Sequence, residues 1–194
     1  MIESSRSPGR PRSDAARQSI LEAAFRMMAD RGYEGMAIEA VADAAGVGKT
    51  TIYRWWRSKA DLAVEAFFEA TKAELRFPET GSARQDFRCQ IVDLARLLRG
   101  SRGAVLAATL GGARVDRDLA RALGERWLEP RRRWGLARMQ KAVADGECHS
   151  GVDIAAALGI LYGPLYTPLL FGQPVPGEAQ VAAHLDLALG AIFK

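Results

Sequence analysis

The chain has 194 residues, of which 48% are hydrophobic and 26% charged, with a net charge of +4. This length and composition predict a globular protein whose core needs no disulfide or metal. Only Cys89 and Cys148 are cysteines, which excludes a CxxC redox motif and a cysteine-rich zinc site. No run of about 18 apolar residues predicts a membrane-spanning helix. We therefore expect a cytoplasmic protein with no metal and no cofactor, whose mildly basic charge permits a nucleic-acid partner.

A flexible arm and three helices are predicted at the start of the chain. Residues 1–13 are rich in serine, proline and arginine and predict a flexible basic arm. Helical periodicity begins at Asp14, with Ser13 as its cap, and Gly32 is expected to end this helix. Short helices then follow over about 38–45 and 49–56.

The remainder of the chain is also predicted to be helical. Ser58 caps a fourth helix that we expect to reach Arg76, before Pro78. Later segments with helical spacing cover 84–99, 103–113, Asp116 to Gly146, 153–171 and 178–193. No alternating strand pattern occurs. The fold class is therefore all-α, with about nine helices.

Residues 38–56 have the spacing of a helix-turn-helix. Ala42 is small where two helices cross, Gly46 suits a left-handed turn, and Ile52 anchors the second helix. The alternative is a generic helical hairpin, but a short surface helix seldom displays tyrosine and tryptophan without a partner. Phosphate and base contacts are predicted for the polar and aromatic residues of this helix and for the lysine after it. This set comprises Lys49, Thr50, Thr51, Tyr53, Arg54, Trp55 and Lys59.

The same segment resembles the TetR family of bacterial transcription regulators. The resemblance is carried by Gly32-Tyr33-Glu34-Gly35, Ile38-Glu39-Ala40-Val41-Ala42, Ala45-Gly46-Val47, Thr51-Ile52-Tyr53 and Ser58-Lys59-Ala60-Asp61-Leu62. It implies a three-helix DNA-binding domain over residues 14–60 and a larger effector-binding and dimerisation domain over residues 61–194. The C-terminal half resembles one subgroup through Leu128-Glu129-Pro130-Arg131-Arg132, Gly163-Pro164-Leu165-Tyr166 and Leu169-Leu170-Phe171-Gly172.

Three positions depart from the family pattern. Gly48 and Met36-Ala37 stand where many members carry a hydroxyl residue that caps a helix, and Trp55-Trp56 replaces the commoner His or Tyr followed by Phe. The arm adds a possible second DNA contact, because Pro8-Gly9-Arg10-Pro11-Arg12 resembles an AT-hook core. Arg10 and Arg12 would then enter a narrow minor groove. A solubilising tail is the alternative.

The resemblance also implies an effector cavity after residue 84. Large, partly polar side chains are the candidate lining, although for any single one of them plain core packing is the favoured interpretation. They are Leu106, Trp127, Trp134, Met139, Tyr162 and Tyr166. This set favours a hydrophobic or aromatic effector.

The last two predicted helices are apolar on more than one face, so they must be buried. Burial inside the protomer is possible, but a two-fold homodimer interface is favoured. The predicted interface residues are Leu158, Leu161, Leu165, Leu185, Leu189 and Ile192. A dimer would place two recognition helices about 34–36 Å apart, as a palindromic operator in double-stranded DNA requires.

Other polar features are interpreted more simply. The run Arg131-Arg132-Arg133 is expected on a solvated helix face, paired with Glu125 and Glu129. Cys148-His149 has no further ligand at metal spacing. No catalytic constellation or phosphate-binding glycine loop occurs, so an enzyme is disfavoured.

The distribution of charge supports a nucleic-acid partner. Residues 6–12 contain three arginines and residues 49–59 contain four cations, and neither segment contains an acid. Because the whole chain has a net charge of +4, the remaining residues carry a net charge of −3. The sequence thus predicts a ligand-responsive, dimeric DNA-binding regulator, most simply a repressor. A constitutive or architectural DNA-binding protein without an effector is the alternative, and an enclosed pocket would discriminate between them.

Overall fold

The computed structural model describes residues 10–72 and 77–194, with the side chains of residues 10–13 left out. The predicted arm contacts of Arg10 and Arg12 therefore lie outside the described residues. Apart from one isolated bridge between Cys148 and Phe193, the described residues contain only helices, turns and loops. This confirms the predicted all-α class. In these ranges, no helix has the length and apolar character needed to cross a membrane.

Helices α1 to α4 form the N-terminal part of the molecule. They cover Arg10–Gly35, Ile38–Ala45, Lys49–Trp55 and Lys59–Thr71. Helix α1 begins before the predicted start at Asp14, so Ser13 lies inside the helix. Gly32, expected at its end, breaks the helical geometry with φ 68°. Ser58 caps α4 as predicted, accepting a hydrogen bond from the Asp61 backbone N–H at 3.1 Å.

The larger C-terminal part begins with α5 (Ala83–Arg99), α6 (Ser101–Gly112) and α7 (Arg117–Leu123). A π-helical turn over Gly124–Leu128 leads directly into α8 (Glu129–Ala144). Pro130 lies in the first turn of α8, directly after the π-helical turn. Helices α9 (Ile154–Leu170) and α10 (Glu178–Ile192) complete the chain.

One continuous hydrophobic core extends through both parts. Helix α4 packs against α1 and also against α6, α7 and the π-helical turn. At this junction Phe67 of α4 lies 4.5 Å, between ring centroids, from the fully buried Trp127. Helix α4 is therefore in direct contact with both parts of the molecule, and α3 immediately precedes it in the chain.

The contact between α5 and α6 depends on Gly103. A Cβ atom at this position would lie 1.7 Å from the Leu98 carbonyl oxygen, whereas one at Gly111 of the same helix would meet nothing within 4 Å. We expect Gly103→Ala to lower the free energy of unfolding by about 1–3 kcal/mol through overpacking. Gly111→Ala, its matched control, should raise it by about 0.5–1 kcal/mol. Thermal unfolding followed by circular dichroism measures both, and equal melting temperatures would contradict the tight contact.

Candidate functional site

Helices α2 and α3 form the predicted helix-turn-helix. Gly46 adopts φ 66° at the end of α2, and the Val47 N–H donates to the Ala42 carbonyl at 3.0 Å. Val41 and Ile52 are buried where the two helices meet. Neither Ala37 nor Gly48 caps its helix with a side chain, because alanine and glycine have no hydrogen-bonding side chain. The turn geometry therefore fixes which face of α3 points outward.

The outward face of α3 carries polar and aromatic groups. Thr50 and Arg54 are exposed, Thr51 is half-buried, and Tyr53 exposes 47% of its surface. Lys49 pairs with Glu39 of α2, and its ammonium lies 5.9 Å from the centre of the Tyr53 ring. The hydrogen bond with Glu39 raises the pKa of Lys49, which keeps the ammonium charged. Arg54 has no acidic partner among the described residues, so its guanidinium is available to a ligand.

Trp55 differs from the prediction that it points outward. Its ring stacks on the buried Trp56 at 5.6 Å between centroids, and the Arg17 guanidinium lies 5.7 Å above it. Two adjacent tryptophans at the end of a short helix gain more by packing together than by standing in solvent. Trp55 is therefore half-buried, and it supports α3 against α1.

Lys59 joins the end of α1 to the start of α4. Its ammonium donates to the Glu34 carbonyl at 3.0 Å and lies 4.5 Å from the centre of the Tyr33 ring. The Tyr33 hydroxyl in turn donates to Asp116, the cap of α7, at 2.8 Å. Burial and this carboxylate raise the pKa of Tyr33. An ammonium has three donors, so Lys59 retains capacity for a further acceptor.

A cavity of about 870 Å³ lies in the C-terminal part, between α7, the π-helical turn, α8 and α9. Trp134, Tyr162 and Tyr166, all predicted lining residues, form part of its wall. The Tyr162 hydroxyl donates to Gln90 of α5 at 2.8 Å, and burial raises its pKa. The wall is thus a mixture of aromatic surface and a few fixed polar groups.

The other three predicted lining residues do not reach the cavity. Leu106, Trp127 and Met139 are fully buried in the core. Large apolar side chains at helical spacing do not indicate whether they face a core or a void, which is why the sequence could not separate the two groups. Sequence reasoning also missed Gln90 and Arg131, which line the cavity.

The arginine run of α8 divides into two environments. Glu129 pairs with Arg133 at 3.1 Å and with Arg132 at 3.9 Å, as expected for a solvated face. Arg131 instead lies against the Trp127 ring, with its guanidinium carbon 3.1 Å from the ring centre. The expectation that all three arginines are solvated is therefore wrong for Arg131.

Ion pairs link the cavity to α4 and α1. The buried Asp61 lies 3.4 Å from the Arg126 Nε atom and 3.9 Å from Arg121, measured to the same carboxylate oxygen. Glu65 pairs with Arg126 at 2.7 Å and also with Arg17 of α1. Arg121 lines the cavity and contacts Glu125, another lining residue, at 3.2 Å. The wall of the cavity and the N-terminal helices therefore share one charged network.

The predicted dimer residues do not lie on a free surface of the protomer. Five of them are buried within it, and Leu158 lines the cavity. The buried five are Leu161, Leu165, Leu185, Leu189 and Ile192. The exposed positions of α9 and α10 include several alanines and glycines. Ile160 and Leu187, with exposures of 53% and 78%, mark the outer apolar face.

Comparisons with known proteins agree along the whole chain. Residues 20–66 match the family described as bacterial regulatory proteins, tetR family. Residues 77–188 match the tetracyclin repressor-like C-terminal domain. The uncharacterized HTH-type transcriptional regulator YdeS of Bacillus subtilis is 32% identical over 186 residues, which cover 96% of this chain and 92% of that one.

Solved structures give the same assignment. The TetR family transcription regulator SCO0332 aligns with a TM-score of 0.78 and 30% identity, covering 92% of this chain and 99% of its own. FadR from Bacillus subtilis, solved in complex with stearoyl-CoA, aligns with a TM-score of 0.69 and 19% identity. That alignment covers 90% of this chain and 98% of FadR, and it shows a shared fold.

Proposed function

Because the chain belongs to the TetR family of bacterial transcriptional regulators, we propose that it is a homodimeric repressor released from a DNA operator by a small effector. Its relatives are transcriptional regulators, and the chain is a regulator rather than an enzyme. The observation that carries the proposal is the charged network between the cavity wall and α4. A constitutive DNA-binding protein would have no use for a cavity of about 870 Å³ joined in this way.

The proposed DNA contacts use α3 and its flanks. Arg54 presents a free guanidinium, which suits a bidentate contact to guanine in the major groove. Tyr53, Thr50 and Thr51 supply hydroxyl and methyl groups for phosphates and base edges. Lys49 and Lys59 would exchange part of their protein contacts for phosphate oxygens. Trp55 supports α3 from the side that faces α1.

The proposed dimer uses the outer face of α9 and α10. Ile160 and Leu187 lie among exposed small residues, including Ala156 and Ala183, so two copies of the helix pair can approach closely. An isologous contact of this kind produces a two-fold axis. Both α3 helices would then address successive major grooves on one side of the DNA.

Effector control would pass through α4. A ligand that displaces Arg121 or Glu125 alters the groups facing the buried Asp61, and Asp61 lies in the first turn of α4. The energy of a buried carboxylate depends strongly on its cationic partners, because an unpaired buried charge is costly. Movement of α4 would change the separation of the two α3 helices and favour a form that fits DNA poorly.

Selection of bound fragments from a random DNA pool tests the proposal. We expect enrichment of an inverted repeat with half-site centres about 10 base pairs apart, bound by two protomers. Light scattering of the protein with and without the selected DNA gives the stoichiometry. A motif without two-fold symmetry, or no enriched motif, would contradict a dimeric operator-binding protein.

A further inference from the structure

Arg131 lies in the wall of the cavity and forms no ion pair with the residues that the structure describes. Its Nη1 atom donates to the Trp127 carbonyl at 3.0 Å, and its guanidinium carbon lies 3.1 Å from the centre of the Trp127 ring. The Nε and Nη2 atoms are buried and have no hydrogen-bond partner among residues 10–72 and 77–194. Buried guanidinium donors are normally satisfied, because leaving them unpaired is costly.

The carboxylates nearest to Arg131 in the sequence are already engaged. Glu129 pairs with Arg132 and Arg133, and Glu125 pairs with Arg121. Throughout the described part of the chain, no acidic side chain pairs with Arg131. Burial lowers the pKa of Arg131 to about 10, which still leaves it cationic at neutral pH. The cavity wall therefore holds one positive charge that no acidic group of the described residues neutralises.

The surroundings of Arg131 indicate the shape of the missing partner. Tyr166, one helical turn beyond Tyr162 on α9, lines the same cavity, and its hydroxyl bonds to no residue that the structure describes. Burial raises the pKa of Tyr166, so the hydroxyl remains a neutral donor. Apolar wall is supplied by Phe77, Trp134 and Leu158. The other charged groups of the wall, Arg121, Glu125, Glu129 and Arg132, are paired with one another or with neighbours. Among the described residues, Arg131 and the Tyr166 hydroxyl are thus left to bind a polar group beside apolar wall.

We propose that the cavity binds an amphipathic organic acid, with its carboxylate on the Arg131 guanidinium and the Tyr166 hydroxyl. The apolar body would lie along Trp134 and Leu158. A single guanidinium balances one negative charge, which favours a carboxylate over a dianionic phosphate. The Nε and Nη2 atoms are buried, so the Arg131 side chain must turn toward the cavity when the acid enters. This inference names the effector class of the proposed regulator and rests on that proposal.

Paired acids and amides test the ligand class directly. Decanoate and 1-naphthaleneacetate carry the carboxylate, whereas decanamide and 1-naphthaleneacetamide keep the apolar body without the charge. Trp134 lies in the cavity wall, so quenching of tryptophan fluorescence and the melting temperature both report binding. We expect at least one acid to bind, and to bind at least tenfold more tightly than its amide. Equal affinities within both pairs, or no binding of either acid, would overturn the proposal.

Substitutions at Arg131 and Arg133 assign the charge. Arg131→Met keeps the apolar stem, and we expect it to abolish the preference for acids without lowering the melting temperature of the ligand-free protein. Arg133→Met removes an exposed arginine outside the cavity and should leave binding unchanged. Arg131→Lys keeps the charge but loses the planar fork, so acids should bind about tenfold more weakly. Retention of the full acid preference in both Arg131 variants would overturn the assignment.

Binding of the selected DNA by the same variants separates this inference from the proposed function. If the wild-type protein binds the selected DNA but shows no preference for acids, the proposed regulator stands and the proposed ligand class is overturned. Protein that binds acids through Arg131 but recognises no DNA sequence supports the ligand class and overturns the proposed regulator.

Discussion

Replacing Arg138 with methionine is expected to lower the free energy of unfolding by about 3–5 kcal/mol. The Arg138 Nε atom donates to Asp86 at 2.7 Å, and the Asp86 side chain is 2% exposed. Arg138 also pairs with Glu147 at 3.4 Å, and Glu147 accepts a hydrogen bond from the Ala83 N–H at 2.6 Å. Removing the guanidinium leaves a buried carboxylate without its cation, at the point where α8 is fastened to the start of α5.

Urea unfolding at neutral pH measures this loss. Lys141→Met is the matched control, because Lys141 lies one turn further along α8 and its pair with Asp145, 2.6 Å apart, is exposed. An exposed pair contributes about 0–1 kcal/mol. An Arg138→Met protein as stable as the control would show that the pair does not hold the two helices together.

The same cluster makes stability depend on acid. Burial alone would raise the pKa of Asp86, but hydrogen bonds from Thr80 and Arg138 lower it below its ordinary value. A carboxyl group whose pKa falls on folding stabilises the protein above its unfolded pKa, and this contribution disappears as the pH falls through the folded pKa. Wild-type stability should therefore decline in acid. The decline should be shallower in Arg138→Met, because this variant lacks the Arg138 contribution that lowers the pKa of Asp86.

Alanine substitutions on α3 are expected to remove specific DNA binding while the fold stays intact. Tyr53→Ala and Arg54→Ala should each weaken binding to the selected DNA by about 10- to 100-fold, the range of one good base contact. Both side chains project from the core, so their loss leaves no cavity. Lys59→Ala should weaken binding to all sequences and reduce the salt dependence by about one phosphate contact.

Fluorescence anisotropy with the selected and a scrambled fragment separates these effects. Arg96→Ala is the control, because Arg96 is an exposed arginine of α5 that pairs with Asp93. Circular dichroism verifies that each variant is folded. Unchanged DNA affinity in both Tyr53→Ala and Lys59→Ala would contradict the assignment of α3 and its flank to the DNA-binding surface.

The helix-turn-helix could be predicted from sequence because its determinants are local. The left-handed turn at Gly46 and the cap at Ser58 depend on residues within one or two turns of each other. Ile52 is the only large apolar residue between Lys49 and Tyr53, so its direction fixes the outward face. Local backbone chemistry of this kind does not depend on the remainder of the fold.

The C-terminal part was harder to predict because α9 is almost entirely apolar, so no polar side marks which of its faces points inward. In α9 the leucines at 161 and 165 face the protomer core, while Ile160 faces outward, and neither direction follows from residue type. Trp127 and Trp134 are equally apolar, yet only Trp134 reaches the cavity. Arg131 appeared to belong to a solvated run, because pairing within the helix does not reveal that a tryptophan one turn earlier covers it.

Control of α3 by the cavity is tested most directly by the affinity of the protein for its selected DNA with and without a saturating acid. Anisotropy titrations give the dissociation constant in each case, with Arg131→Met as the variant that cannot respond. We expect the acid to raise the dissociation constant of the wild type by about 5- to 150-fold, the usual range of coupling between two sites. An unchanged dissociation constant, measured while tryptophan fluorescence shows the cavity to be occupied, would contradict a ligand-controlled regulator.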